Sequence, residues 1–484
     1  MAERPNIIFV MPDQLRADFL GCYGADFIHT PNIDRLAERG VRYERAYSTH
    51  PLCVPARVSL LTGMNAIRTG VLDNGQFLRP DYAQMGIQTW PEILSGHGYR
   101  TAAIGKMHFY PWDLRMGFGY RVIAEDKRWI HIRDDYYHWL REHGYRKLHG
   151  NEHPRYYEHK GAVISKIPWE YSVDHFVGQR ACQFIEQYGD EEPFAMMVGF
   201  PGPHCPYDPS PHFLDAIDPK RLPSAVPEVE GDAPELRKNS IEGNKRPWNG
   251  VDYAEFTSAQ KRKIRAHYAA LVTQIDYEIG QMLDALSDKG LLDNTIIIFS
   301  SDHGDYLGDH NLIGKGTFFE SGIRVPLLVH IPWHDESRTC RDLTCLTDVT
   351  PTLLHLAGCD VPHYMDAVPL PELGIPNATP REVIVGMAQG GWMIEDGTWR
   401  MSKYATGENL LFHIAEDPAE QHNLYDDPGY LDVRTRLDTQ LMQEIMSAIH
   451  DSQHDRRVYT ESLSQDPWFG QEGWQRPYPR SLDR

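Results

Sequence analysis

Asp13-Gln14 and Asp302-His303 offer two carboxylates, an amide oxygen and an imidazole. Brought together, they would hold a divalent cation. An oxygen-rich set suits Ca2+, and the imidazole also admits Mn2+. As isolated dipeptides they say little, because an Asp at a strand end is commonly a turn or a cap. Gly105-Lys106-Met107-His108 pairs a cation with a titratable ring two residues away, and alone it reads as an ordinary loop. Pro203-His204 and Gly314-Lys315-Gly316 are similarly plain in isolation. Cys53, opening Cys53-Val54-Pro55-Ala56-Arg57, is by itself a thiol buried at a helix start. Asn74, in Leu72-Asp73-Asn74-Gly75, is equally a turn residue or a polar contact to an anion.

The elements around these residues give them a common address. The apolar run 6–11 predicts a buried parallel strand, with Asp13 just past its end. Residues 101–104 predict a strand before Lys106, 194–200 one before His204, and 295–300 one before Asp302. A further strand is expected over 325–331. Thr30 and Pro31 open a helix that Gly40 closes. Helices are also expected around 58–61, over 258–289 with a stop at Gly290, and over 348–357. Alternating strands and helices predict a mostly parallel sheet covered on both faces. Ligands of such sheets gather at the carboxyl ends of the strands.

Three regions depart from this pattern. Residues 117–175 are crowded with Trp, Tyr, His, Arg and Asp, and read either as a solvated insertion or as a wall of a substrate pocket. Residues 215–257 read as a long surface excursion. Past about residue 372, short strands at 383–388, 391–396 and 399–405 and a helix near 431–449 predict a smaller α+β domain. The expected division is 1–372 and 373–484. The polar end of the chain, dotted with Trp and Tyr, predicts a disordered tail or one packed on a neighbouring subunit, a route to a homo-oligomer.

The formal net charge of -20 excludes non-specific nucleic-acid binding, which needs a basic footprint. It also means that an anionic substrate must be collected by local cations or a metal. No apolar run is long enough to span a membrane. The N-terminal stretch lacks the features of a secretory signal. Seven cysteines, without a zinc-type spacing, predict free thiols and a cytoplasmic protein.

Cys53-Val54-Pro55-Ala56-Arg57 with Thr62-Gly63 resembles the signature of the sulfatase family, C-x-P-x-R-x4-T-G, in which a maturation enzyme oxidises the cysteine to formylglycine. The resemblance covers nearly the whole chain: Glu416-Asp417-Pro418-Ala419-Glu420-Gln421-His422-Asn423-Leu424 is similar to the family's C-terminal segment. It implies an α/β fold, an alkaline-phosphatase-like α/β/α sandwich with a smaller C-terminal α+β domain. It also implies one divalent metal on Asp13, Gln14, residue 53, Asp302 and His303, Ca2+ first and Mn2+ second. The family's first pair is often Asp-Asp, so Gln14 departs from it, and His303 stands where many members have Asn.

Residue roles follow from the resemblance. The hydrate of formylglycine carries two hydroxyls: one attacks sulfur, and the other, once deprotonated, expels the inorganic anion. Arg57 and Lys106 would hold oxygens of the anion, and His108 would take the second hydroxyl's proton. His204 and Lys315 would meet the leaving-group oxygen, with Asn74 as a further contact to the anion. The implied substrate is a small sulfate monoester. Asp13-Gln14 with Asp302-His303 is also similar to phosphonate monoester hydrolases, which makes phosphonate or phosphodiester hydrolysis the nearest rival. Gly105-Lys106-Met107-His108-Phe109 is similar to choline-sulfatase-type members and does not suit the phosphonate branch. A non-catalytic anion-binding protein on this scaffold is the distant alternative.

Overall fold

The protein is described by a computed structural model that covers residues 4–454 apart from 190, 229–232, 335, 377 and 389. The expectation for the C-terminal tail lies outside the described residues. The strands of the first part are β1 (Asn6–Val10), β2 (Gly40–Tyr43), β3 (Ala46–Tyr47), β4 (Arg100–Gly105), β5 (Tyr120–Ile123), β6 (Phe194–Gly199), β7 (Thr295–Ser300), β8 (Leu327–His330), β9 (Ser337–Cys340) and β10 (Thr344–Cys345). Eight of them form one sheet in the order β5-β4-β6-β1-β7-β8-β2-β9. Only β8 runs against the others; β3 and β10 pair separately.

Strand alternation divides the interior into two layers. Ile8 and Val10 of β1 point into a core with the helices Pro31–Glu38, Val173–Glu186 and Ser258–Asp288. Ile7 and Phe9 point into the opposite core, with the helices Cys53–Thr62, Trp90–Gly96 and Val349–Leu356. Both faces are therefore apolar, which explains why β1, β6 and β7 are buried at every position. This is the expected α/β/α sandwich.

Several local expectations are corrected. Gly40 does not close a helix; the helix ends at Glu38 and Gly40 opens β2. Its φ of 152° and the Val329 carbonyl, 2.1 Å from where a Cβ would sit, explain the glycine there. The strand over 325–331 is β8, antiparallel to its neighbours. The stretch 215–257 is more than an excursion, since it holds the helix Pro234–Asn244 and buries Val251 and Tyr253. The segment 117–175 begins with β5, an edge strand of the main sheet.

After residue 380 the chain forms β11 (Ile384–Ala388), β12 (Gly391–Glu395), β13 (Arg400–Tyr404) and β14 (Asn409–Phe412), an antiparallel sheet in that order. One face packs on the helix Leu431–His454 through Ile394, Met401, Leu411, Leu437 and Leu441. The other packs Ile384, Met393 and Phe412 against Tyr306, Phe318 and Phe319 from the loop beyond β7.

Candidate active site

Four adjacent parallel strands, β4, β6, β1 and β7, end side by side. Gly105 pairs with Gly199, and Val10 pairs with both Val198 and Phe299. Lys106, His204, Asp13 and Asp302 follow these ends and so emerge together. A further bridge between Asp13 and Pro203 ties two of the loops. Gln14 and His108 have φ of 71° and 59°, uncommon for side-chain-bearing residues and characteristic of sites that aim a group.

Cys53 arrives on the first residue of the helix Cys53–Thr62, which is buried along its whole length. Leu52, at the N-cap, cannot satisfy the first-turn amides. Asn74 does so instead: its Oδ1 accepts from Val54 N at 3.0 Å. The positive end of this helix faces the site and suits an anion.

Asp13, Cys53, Asp302 and His303 converge, with one ligand atom from each lying within 4.8 Å of the others. Cys53 Sγ is 3.1 Å from His303 Nε2 and 3.9 Å from Asp13 Oδ1. His303 Nδ1 lies 3.0 Å from the Gly304 carbonyl, which can only accept, so Nδ1 carries the proton and Nε2 turns to the cluster. Arg57 spans both carboxylates, with Nε donating to Asp302 Oδ2 at 2.9 Å and Nη2 to Asp13 Oδ2 at 3.2 Å. Lys106 Nζ lies 2.8 Å from the same Asp13 oxygen. The cations thus hold the outer carboxylate oxygens, while the inner ones remain with the sulfur and the imidazole. A buried set of two carboxylates, an imidazole and residue 53 fits one divalent cation.

Gln14 sits beside this cluster. Its Oε1 accepts from Lys315 Nζ at 2.5 Å, and its Nε2 donates to Asp305. Lys315 Nζ also lies 2.7 Å from His204 Nε2. His204 Nδ1 is 2.8 Å from the Cys205 carbonyl and must be the protonated nitrogen, so Nε2 accepts from Lys315. His108 is anchored through its backbone N–H to Glu125 at 3.2 Å, and its buried Nδ1 has no hydrogen-bond partner in the protein.

Burial and charge act against each other here. Burial opposes ionisation of Asp13, yet Lys106, His204 and Arg57 hold its carboxyl well below the usual range. Burial likewise opposes the Cys53 thiolate, yet Lys315 and His303, with hydrogen bonds from His108 and His204, hold the thiol well below its ordinary value. Burial, Lys315 and Arg128 push His204 down to about 3, so its ring is neutral near pH 7. Burial would lower His303, but Asp302 and Cys53 raise it.

The structure brings every singled-out residue into one cluster, with Asn74 touching it through the backbone of the Cys53 helix. Sequence reasoning missed four others. Asp126 lies 3.3 Å from Lys106 Nζ; Arg128 clasps Asp126 and reaches His204; Glu125 anchors His108; and Asp305 takes the Gln14 amide. A signal existed for Glu125 and Asp126: they follow β5 much as Asp13 follows β1, but β5 is only four residues long and interrupted by Arg121, so it does not stand out.

Comparison with known proteins agrees with this geometry. The family model for sulfatases matches residues 5–359. An arylsulfatase of Clostridium perfringens (strain 13 / Type A) is 32% identical over 88% of this chain and 91% of its own length. A choline-sulfatase of Rhizobium meliloti (strain 1021) is 31% identical over 96% of this chain and 93% of its own. The crystal structure of the phosphonate monoester hydrolase of Agrobacterium radiobacter superposes with a TM-score of 0.76 over 92% of this chain and 96% of that one, at 23% identity, a likeness of fold. With its signature cysteine set among these carboxylates, imidazoles and cations, the chain belongs to the sulfatase family and is a sulfuric ester hydrolase.

Proposed function

We propose that the chain hydrolyses a sulfate monoester to an alcohol and inorganic sulfate, with residue 53 acting as formylglycine. The single observation that carries this is the position of Cys53 Sγ, 3.1 Å from His303 Nε2 inside a cluster of four potential ligands. That sulfur stands in for a hydroxyl oxygen of the aldehyde hydrate. The hydrate supplies one hydroxyl to attack sulfur and another whose deprotonation releases the anion. Asp13, Gln14, residue 53, Asp302 and His303 would hold a divalent ion, which would supply acidification of a hydroxyl and compensation of sulfate charge. Ca2+ suits the carboxylates and Mn2+ the imidazole.

The residues divide the remaining work. Arg57 fixes Asp13 and Asp302 and presents cationic charge to the anion. Lys106 and Lys315 hold sulfate oxygens, and Asn74 contributes its amide. His108, whose Nδ1 is free of protein partners, takes the proton from the second hydroxyl. At the leaving-group oxygen, Lys315 is the cationic donor and His204 is its neutral acceptor, aligned at 2.7 Å. The rival reading, phosphonate monoester or phosphodiester hydrolysis, shares the fold, but the placement of Lys106 and His108 against the site favours sulfate.

Intact-mass measurement tests the modification, because conversion of the thiol to the aldehyde lowers the mass by about 18 Da. Parallel rates on aryl sulfate and aryl phosphonate esters test the substrate class; a faster phosphonate reaction would overturn the sulfate reading. A maturation enzyme is the required partner. All seven cysteines are free, which supports a reducing, cytoplasmic setting. Among the described residues no helix is long and apolar enough to cross a membrane. A homo-oligomer joined through the C-terminal tail, and a functional division into 1–372 and 373–484, complete the proposal.

A further inference from the structure

Four successive residues of the insertion reach different partners. Asp126 Oδ2 faces Lys106 Nζ at 3.3 Å, and Lys127 ion-pairs with Asp208. Arg128 Nη2 lies 3.5 Å from His204 Nε2, and Trp129 packs edge-on to His108 with ring centres 4.9 Å apart. One loop therefore touches Lys106, His204 and His108 at once.

Arg128 is 8% exposed and held at several points. Its Nε and Nη2 clasp Asp126 at 2.9 and 2.6 Å. The guanidinium lies over the Trp248 ring, 5.0 Å from its centre, and that indole is 41% exposed. Asp126 does not neutralise Arg128 alone, because the same carboxylate also serves Lys106. Lys106 lies nearer Asp13, at 2.8 Å, so Arg128 is the closer partner of Asp126 and stays fixed against it. His204 also faces Lys315, again a cation, and the Asp13 carboxylate, which Lys106 and Arg57 hold.

Under the sulfatase reading, on which this step rests, the alcohol oxygen departs at His204 and Lys315. The alcohol half then lies beside Arg128 and Trp248. A quaternary ammonium would need an open aromatic face, but the protein's own guanidinium covers one face of Trp248. We infer that Arg128, stacked on Trp248, is a specificity-determining residue that selects esters of neutral or anionic aromatic alcohols and rejects cationic ones. An aromatic ring can pack against the indole and the guanidinium plane. A ring carboxylate meets the fixed Arg128 guanidinium, whereas a trimethylammonium group meets a like charge there.

The test compares choline sulfate with its neutral isostere, in which carbon replaces nitrogen, and phenyl sulfate with and without a ring carboxylate. The protein carries the aldehyde, confirmed by intact mass, and is supplied with Ca2+ or Mn2+. Wild type should favour the neutral isostere over choline sulfate by about tenfold or more in kcat/KM. Arg128→Met should narrow that ratio by about tenfold, and Arg128→Lys should keep it. The ratio is read within each protein, so a general loss of activity cancels. If Arg128→Met does not fold, Asp126→Asn with Arg128→Met removes both charges together and gives the same reading. Equal rates on choline sulfate and its isostere in wild type, or a ratio unchanged by loss of Arg128, would overturn the inference alone. Failure to hydrolyse any sulfate ester would overturn the sulfatase reading and this inference with it.

Discussion

Under the proposed mechanism, His108 and Arg57 divide the labour at this site. His108 is held by its backbone, through Glu125, so that its ring can move a proton without also serving as an anchor. Replacing it with Ala should lower kcat by about 10²–10⁴-fold, with the melting temperature little changed, measured on aldehyde-bearing protein. Arg57 differs, because it is only 2% exposed and sits between two carboxylates. Arg57→Ala would leave Asp13 and Asp302 buried without their partner. It should abolish turnover and destabilise the fold by about 3–5 kcal/mol, read from denaturant unfolding. The two variants would separate the proposed proton carrier from the proposed charge clamp.

At the scale of elements, the carboxyl ends of four strands and the start of one helix position the cluster. The helix Cys53–Thr62 relies on Asn74 for a first-turn hydrogen bond. Asn74→Ala should destabilise the protein by about 1 kcal/mol, seen as a lower unfolding midpoint. The long helix Ser258–Asp288 carries a different sensitivity. Burial pushes His267 down to about 4 from an ordinary 6.5, although the carbonyls of Tyr207 and Val163 oppose the shift. Between those values the unfolded chain binds a proton that the folded chain refuses, so stability rises with pH through this window and is lost on acidification. His267→Gln should flatten that part of the stability profile, by at most about 1.4 kcal/mol per pH unit. Unfolding midpoints of both proteins between pH 4 and pH 6.5 would check this.

The whole molecule joins its eight-stranded and four-stranded parts through an ionic knot as well as an apolar seam. Arg400, on β13, is 1% exposed and contacts Glu395 of β12, Glu420 and Glu320 at 2.7, 2.6 and 2.6 Å. Arg400→Met would strand three carboxylates at the junction and should cost about 3–5 kcal/mol, with unfolding no longer a single transition. Metal should act at the same scale. Asp13, Asp302 and residue 53 concentrate negative charge in a buried site, so Ca2+ or Mn2+ should raise the melting temperature and a chelator should reverse the rise. Unaltered melting over a wide range of both ions would argue against a resident cation.

The sequence by itself singled out Cys53, the pairs Asp13-Gln14 and Asp302-His303, the cations Arg57, Lys106 and Lys315, and the sheet strands that carry them. These were legible because the signature around Cys53 is contiguous and because strands buried on both faces, such as β1 and β7, are continuous apolar runs. Edge strands escaped it: β5 and β9 are only four residues long and partly exposed, and β9 is polar as well. Only the tertiary structure decided that Lys315 binds Gln14 and His204 rather than standing free, since that contact joins residues 301 and 111 positions apart. Only it, too, carried Asp126, Arg128 and Trp129 from the aromatic insertion to Lys106, His204 and His108. Short-range patterns record how a segment meets its immediate surroundings. Which distant side chains share one pocket depends on the order in which strands pair, and no local pattern states that order.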